Sequence, residues 1–111
     1  MESPVNLDNL RTITDGDAAM EAELFRIFLA SSHERIMGLR AAGDDTAWEK
    51  EAHALKGICL NLGAGPLGAL CKQAQDGCQA STDEKKKMLA AMEQEFERVR
   101  QFIETMAGDL R

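Results

Sequence analysis

The sequence is short of what breaks helices and of what builds sheets. It has two prolines, Pro4 and Pro66, no tyrosine and one tryptophan, Trp48. Neither proline interrupts a long stretch, and β-branched residues are few, so little is available to form strands. No apolar run approaches the ~20 residues of a membrane span. The opening Met1-Glu2-Ser3-Pro4 lacks the charged-then-apolar pattern of a secretion signal. Basic residues are outnumbered: 13 Lys and Arg face 19 Asp and Glu, for a net charge of −6. Phosphate backbones and anionic membranes attract clustered Lys and Arg, so neither a nucleic acid nor a membrane is an expected partner. These absences together lead us to expect a soluble cytoplasmic protein. Cysteine is also sparse. Cys59, Cys71 and Cys78 are odd in number and have no CxxC spacing. They are expected to be small buried side chains and not a disulfide framework. A metal site joining them to His53 is the alternative, at a spacing unlike that of usual zinc sites.

What the chain does contain favours helix: Ala, Leu, Met, Glu and Lys dominate. At 111 residues and 44% hydrophobic it can bury one core, and residues 1–111 are expected to form one domain. Residues 6–13 can form a short first helix with Leu7, Leu10 and Ile13 on one side. Thr14-Asp15-Gly16-Asp17 is turn chemistry, with Asp15 or Asp17 as a helix cap. A second helix is expected over 17–42, its stripe being Phe25, Phe28, Leu29, Ser32, Ile36 and Leu39, with Gly43 as its stop. His33 lies beside that stripe without an acid or cysteine partner at helical spacing except its neighbour Glu34. It reads as a surface histidine.

The third helix starts near Asp44-Asp45-Thr46, where Thr46 and Glu49 fit a capping box. Trp48, Ala52, Leu55, Cys59 and Leu62 recur at spacings of four, three, four and three, which makes them the buried face. Gly63-Ala64-Gly65-Pro66 ends this helix and opens a fourth, expected over 66–79. Leu67, Leu70, Cys71, Ala74 and Cys78 form its stripe, and Gly68, Lys72 and Gln75 an adjacent row. Ser81 and Glu84 fit a second capping box. The fifth helix follows with Met88 or Leu89, Met92, Phe96, Val99, Ile103 and Met106 inward; Lys85-Lys86-Lys87 is a solvated run. Gly108 is its expected stop, with Asp109-Leu110-Arg111 fraying. The fold expected is all-α: an antiparallel up-down-up-down four-helix bundle with a short additional N-terminal helix. A single tight bundle favours a monomer.

At ~100° per residue, His53, Lys56, Gly57 and Leu60 group opposite the buried face of the third helix. His53 therefore points out of the core. Lys56 is a cation within reach of anything attached to the imidazole, or an ordinary solvated charge. Gly57 inside a good helix costs about 1 kcal/mol relative to alanine. It either clears space beside His53 for another molecule or lets helices pack closely. An imidazole is a good nucleophile near neutral pH, and a phosphoryl group on it would be stabilised by Lys56. Leu60 on the same face suits protein docking, with Lys72 and Gly68 of the fourth helix beside it. Glu49 lies one turn before His53 but is expected in the capping box. Gln75 is the candidate to bond the other ring nitrogen. The chain shows no Gly-rich phosphate loop, no Ser or Cys nucleophile with a matching base, and no acidic cluster for magnesium. It can carry a phosphoryl group but has no means of drawing one from ATP.

His53-Ala54-Leu55-Lys56-Gly57, Asn61-Leu62-Gly63-Ala64, Leu67, Leu70-Cys71 and Gln75 resemble the histidine-containing phosphotransfer (HPt) domain family. The resemblance covers nearly the whole chain, including the opening Leu-x-x-Leu, the Phe-rich second helix and the Gly-Asp before Trp48. It implies a bundle that shuttles a phosphoryl group between receiver-domain aspartates through an exposed histidine. His53 would be the phosphorylated residue, Lys56 the charge-stabilising one, Gly57 the clearance, and Gln75 the polar neighbour. The implied partners are response-regulator receiver domains and a hybrid sensor histidine kinase. No cofactor is implied for this chain, since the receiver brings the Mg2+. Ile58 and Cys59 depart from the family pattern, which has small residues after the Lys-Gly pair. The competing uses of such a chain are a non-catalytic helical adaptor for receiver or kinase domains, and a metal- or haem-binding bundle.

Overall fold

The computed structural model describes residues 3–109, with side chains through residue 106. Five helices follow in order: α1 (Asp8–Thr14), α2 (Ala18–Ala41), α3 (Asp45–Leu62), α4 (Gly65–Asp76) and α5 (Thr82–Asp109). α2 packs on α3, α3 on α4, α4 on α5, and α5 back on α2, which closes a four-helix bundle. The 28 residues of α5 amount to ~42 Å of helix, so α5 runs the 44 Å length of the molecule. The expected all-α bundle with a short leading helix is the fold observed.

The ends of the helices follow local chemistry. The Asp17 carboxylate accepts the Met20 N–H at 3.0 Å and starts α2. The Ser81 hydroxyl accepts the Glu84 N–H at 3.2 Å and starts α5. At α3 the cap is Asp44, which accepts the Ala47 N–H at 2.7 Å, and Thr46 lies inside the first turn. An aspartate one step outside the helix reaches the free N–H groups better than a threonine already within it. The expected Thr46–Glu49 box does not form, which releases Glu49 for other contacts. Gly63 ends α3 at φ 97°, the left-handed region that suits glycine. Its carbonyl accepts the Asn6 N–H at 2.8 Å. A Cβ there would lie 2.2 Å from the Asn6 oxygen. The arm before α1 is thereby seated on the α3–α4 turn.

Several expected details differ. Val5 and Leu10 are buried while Ile13 is 62% exposed, because α1 begins at Asp8 and its inner side carries Leu10 and Thr14. α2 stops at Ala41 with Ala42 extended, so Gly43 is linker and not a left-handed stop. α4 starts at Gly65 with Pro66 in its first turn and ends at Asp76. Cys78 therefore sits in the turn after α4, half-buried. α5 continues through Gly108 to Asp109, and the fraying expected at Leu110 and Arg111 lies outside the described residues.

The core is the set of inward stripes. Phe25, Phe28, Ile36 and Leu39 of α2 meet Trp48, Ala52, Leu55, Cys59 and Leu62 of α3. Leu67, Cys71 and Ala74 of α4, then Leu89, Met92, Val99 and Ile103 of α5, complete it. Leu29 and Phe96 pack against its edge. The rotation of α3 about its own axis is held from both sides. Towards α4, the Trp48 indole N–H donates to the Ala74 carbonyl at 2.8 Å within the core. Towards α2, Arg35 holds Glu51 at 3.0 Å. The Glu51 carboxylate lies over Gly38, where a Cβ would come within 2.6 Å of it. Gly68 is buried, and a Cβ on it would lie 3.5 Å from the Cys59 Cβ.

Candidate functional site

With Trp48, Ala52, Leu55 and Cys59 turned into the core, α3 must point His53 outward, and His53 is exposed. Its closest polar neighbour comes from α4. Gln75 Nε2 lies 3.2 Å from His53 Nδ1. The other ring nitrogen, Nε2, has no partner among the described residues. The Gln75 contact admits two proton arrangements. With the proton on Nε2, Nδ1 accepts an N–H of the Gln75 amide. With the proton on Nδ1, the amide turns and its oxygen accepts. Only the second arrangement leaves a lone pair on the outward Nε2, which a nucleophile needs.

The surroundings of the ring differ on its two sides. At ~100° per residue, Lys56 and Leu60 lie toward α4, and Gly57 and Asn61 lie toward α2. Lys56 is half-buried and Leu60 is 62% exposed. A Cβ built on Gly57 meets nothing within 4 Å. Close helix packing, one of the two uses open to Gly57 from the sequence, is therefore not its reason. Gly68, by contrast, belongs to that packing. It is buried between α3 and α4, where a Cβ would lie 3.5 Å from the Cys59 Cβ and 3.9 Å from Leu60 Cδ2. Lys72 is exposed, and its ammonium is paired with Asp76 at 2.9 Å.

Two features near His53 were not anticipated. An apolar groove runs between α1, α2 and α3, lined by Leu10, Ile13, Leu24, Ile27, Phe28 and Ile58. Ile13 and Ile27 stand 62% and 51% exposed beside it. The signal for Ile27 in the sequence was a large apolar residue lying off the inward stripe of α2; Ile13 gave none, because it fits the spacing of Leu10. The other feature is the Cys78 thiol, which donates to Glu49 Oε2 at 3.3 Å, one turn before His53.

Among the described residues no group of three His, Cys, Asp or Glu side chains is placed to hold a metal ion. Cys59 and Cys71 are both buried in the core. The Cys71 side chain and burial together push the Cys59 thiol far up, so it stays protonated. No helix among the described residues is long and apolar enough to cross a membrane.

The geometry is that of an outward imidazole in contact with a neutral amide, with the open Gly57 on one side and Lys56 on the other. Comparison with known proteins points the same way. Over its whole length the chain is similar to the crystal structure of histidine-containing phosphotransfer protein B (HptB) from Pseudomonas aeruginosa PAO1. The two share 25% identity and a TM-score of 0.88, with 100% of each chain covered. No curated protein sequence matches the chain. The sequence matches the Hpt domain over residues 23–108, from early α2 nearly to the end of α5. The chain belongs to the Hpt domain family and is a histidine phosphotransfer protein of a phosphorelay, a carrier of phosphoryl groups.

Proposed function

We propose that His53 is the residue that carries the phosphoryl group, passing it between aspartates of response-regulator receiver domains. The observation that carries this assignment is the coincidence at one exposed ring. Gln75 engages Nδ1 at 3.2 Å, while Gly57 beside it has no neighbour of its own chain to make room for. Glycine in a helix is destabilising, so space left open beside an outward imidazole points to an incoming molecule.

The transfer is an in-line displacement. The lone pair on His53 Nε2 forms a bond to phosphorus of the receiver's aspartyl phosphate, and the bond from phosphorus to the carboxylate oxygen breaks. The electron pair returns to the carboxylate, and the proton on Nδ1 stays on the ring, held by Gln75. The reverse displacement delivers the group to a second receiver. Positioning and charge stabilisation supply nearly all of the catalysis in such a reaction. On this chain, Gln75 sets the ring plane and Lys56 faces the negative oxygens of the phosphoryl group. Magnesium comes with the receiver. Leu60 and the apolar groove beyond Gly57 and Asn61 are the docking surface, with Lys72 at its α4 margin. A hybrid sensor histidine kinase is the upstream partner, and residues 1–111 act as one monomeric carrier domain in the cytoplasm.

The test is incubation with a receiver domain phosphorylated on its aspartate. Label is expected to move to the wild-type chain and not to His53→Gln. A chain that never takes label, or a His53→Gln variant that still does, would replace the carrier role of His53 with that of an adaptor or move it to another residue.

A further inference from the structure

Three hydrogen-bond contacts join α3 to α4 and to the turn that follows it. The Trp48 indole bonds the Ala74 carbonyl. His53 meets Gln75. Between them, Glu49 Oε2 accepts the Cys78 thiol at 3.3 Å. Glu49 and His53 are four residues apart on α3, a spacing at which side chains of a helix touch. A glutamate placed N-terminal to a cationic partner at this spacing is the favourable orientation for pairing. Glu49 would therefore be the natural partner of the His53 imidazolium, and it is the one acid so placed. Glu51, the other acid nearby, is held on the α2 side by Arg35 at 3.0 Å. In the structure Glu49 makes no ion pair with His53, and its Oε2 accepts from the Cys78 thiol in the turn after α4.

We propose that Cys78 is a positioning residue for phosphoryl transfer: its thiol holds the Glu49 carboxylate off His53, leaving the neutral amide of Gln75 as the partner of the ring. The inference rests on His53 being the phosphorylated residue. A carboxylate on the imidazole would favour the charged ring, which has no lone pair to attack with, and would repel the incoming phosphoryl oxygens. A neutral amide orients the ring without either cost.

The charges around this link agree with that role. On α3 the ionisable neighbours are Asp45, Lys50 and Lys56. From α4 they are Lys72 and Asp76, bound to each other at 2.9 Å. From α5, Lys85 is paired with Asp45. The hydrogen bond to Glu49 raises the Cys78 thiol above its ordinary range, with burial and the charges of Glu49 and Asp45 adding and Lys85 opposing. The thiol thus remains a donor at neutral pH, as the link requires. The failed Thr46–Glu49 box, replaced by Asp44, is what leaves Glu49 available.

The experiment follows the His53 ring protons by NMR through a pH titration of the unphosphorylated full chain. Cys78→Ala is expected to move the His53 midpoint up by ~0.2–0.4 pH unit, the size of a helical acid–histidine pair. Cys78→Ser keeps a donor and is expected to stay near wild type. Cys78→Ala combined with Glu49→Gln is expected to show no upward shift. The acidic limb of the rate of phosphoryl acceptance should move with the midpoint in Cys78→Ala. An unchanged midpoint in Cys78→Ala, or an upward shift that persists in the double variant, overturns the proposal. The titration needs no phosphoryl group, so its outcome is independent of whether His53 is the acceptor, which His53→Gln decides separately.

Discussion

Filling Gly57 should strengthen the protein and stop its reaction. A Cβ at this position meets nothing within 4 Å, so alanine is not resisted by the rest of the chain, and a longer side chain starts out into open space. The backbone there is ordinary α-helix, well inside α3. Replacing glycine by alanine in such a place gains about 0.9 kcal/mol of helix propensity, and glutamine gains somewhat less, roughly 0.5 kcal/mol. At about 2.1 cal/mol/K of unfolding entropy per residue, a chain this size has ~230 cal/mol/K. Gly57→Ala should then raise Tm by ~4 °C and Gly57→Gln by ~2 °C. Transfer should change in the other direction. A glutamine side chain standing beside His53 displaces the incoming receiver by more than an ångström, and a misplacement of that size costs on the order of 100-fold in rate. The assay pairs thermal unfolding with label transfer from a phosphorylated receiver, on the same preparations. Gly57→Gln that is more stable and transfers at the wild-type rate would refute the clearance role. A loss of stability in Gly57→Ala would refute the open space itself.

Two further predictions come from the same surface and its support. Lys56→Ala should leave stability near wild type, since Lys56 makes no ion pair among the described residues. It should slow transfer or shorten the life of the phosphorylated chain about tenfold, the worth of one charge-assisted hydrogen bond; unchanged rates would remove Lys56 from the site. Gly63→Ala places a Cβ in the left-handed region and against the Asn6 carbonyl. It should cost ~2 kcal/mol or more, lowering Tm by ~8 °C. An unchanged denaturation midpoint would show that the arm before α1 is not seated on the turn.

Much of the fold was legible because it is local. Trp48, Ala52, Leu55, Cys59 and Leu62 repeat with the helix period, so their burial, and the exposure of His53 opposite them, follow from one element alone. Asp17, Ser81 and Gly63 act on backbone groups within a few residues of themselves, and each ends or starts a helix as its chemistry dictates. Where two local signals competed, the sequence misled. Asp44 and Thr46 both suit a cap, and only the aspartate lies just outside the first turn. Ile13 fits the spacing of Leu10 but faces outward, because where α1 begins and how it turns on α2 are not written in its own pattern.

Contacts between helices depend on how far each is rotated about its axis and slid along its neighbour, and a single stripe leaves both quantities loose. Periodicity placed Gly68 in a row with Lys72 and Gln75; packing buried Gly68 against Cys59 and left Lys72 outside. The meaning of Gly57 was open between packing and access until its neighbours were known. Gln75 reaches His53, and Cys78 reaches Glu49, because the Gly63–Ala64 connection returns α4 along α3 at one particular stagger. The chain's own order of residues was enough to place an outward histidine on a helical bundle. Whether Gln75 lies against that histidine was decided by the docking of α4 on α3, and whether Gly57 opens onto free space by how the neighbouring helices sit on α3, because each depends on a distance between two helices.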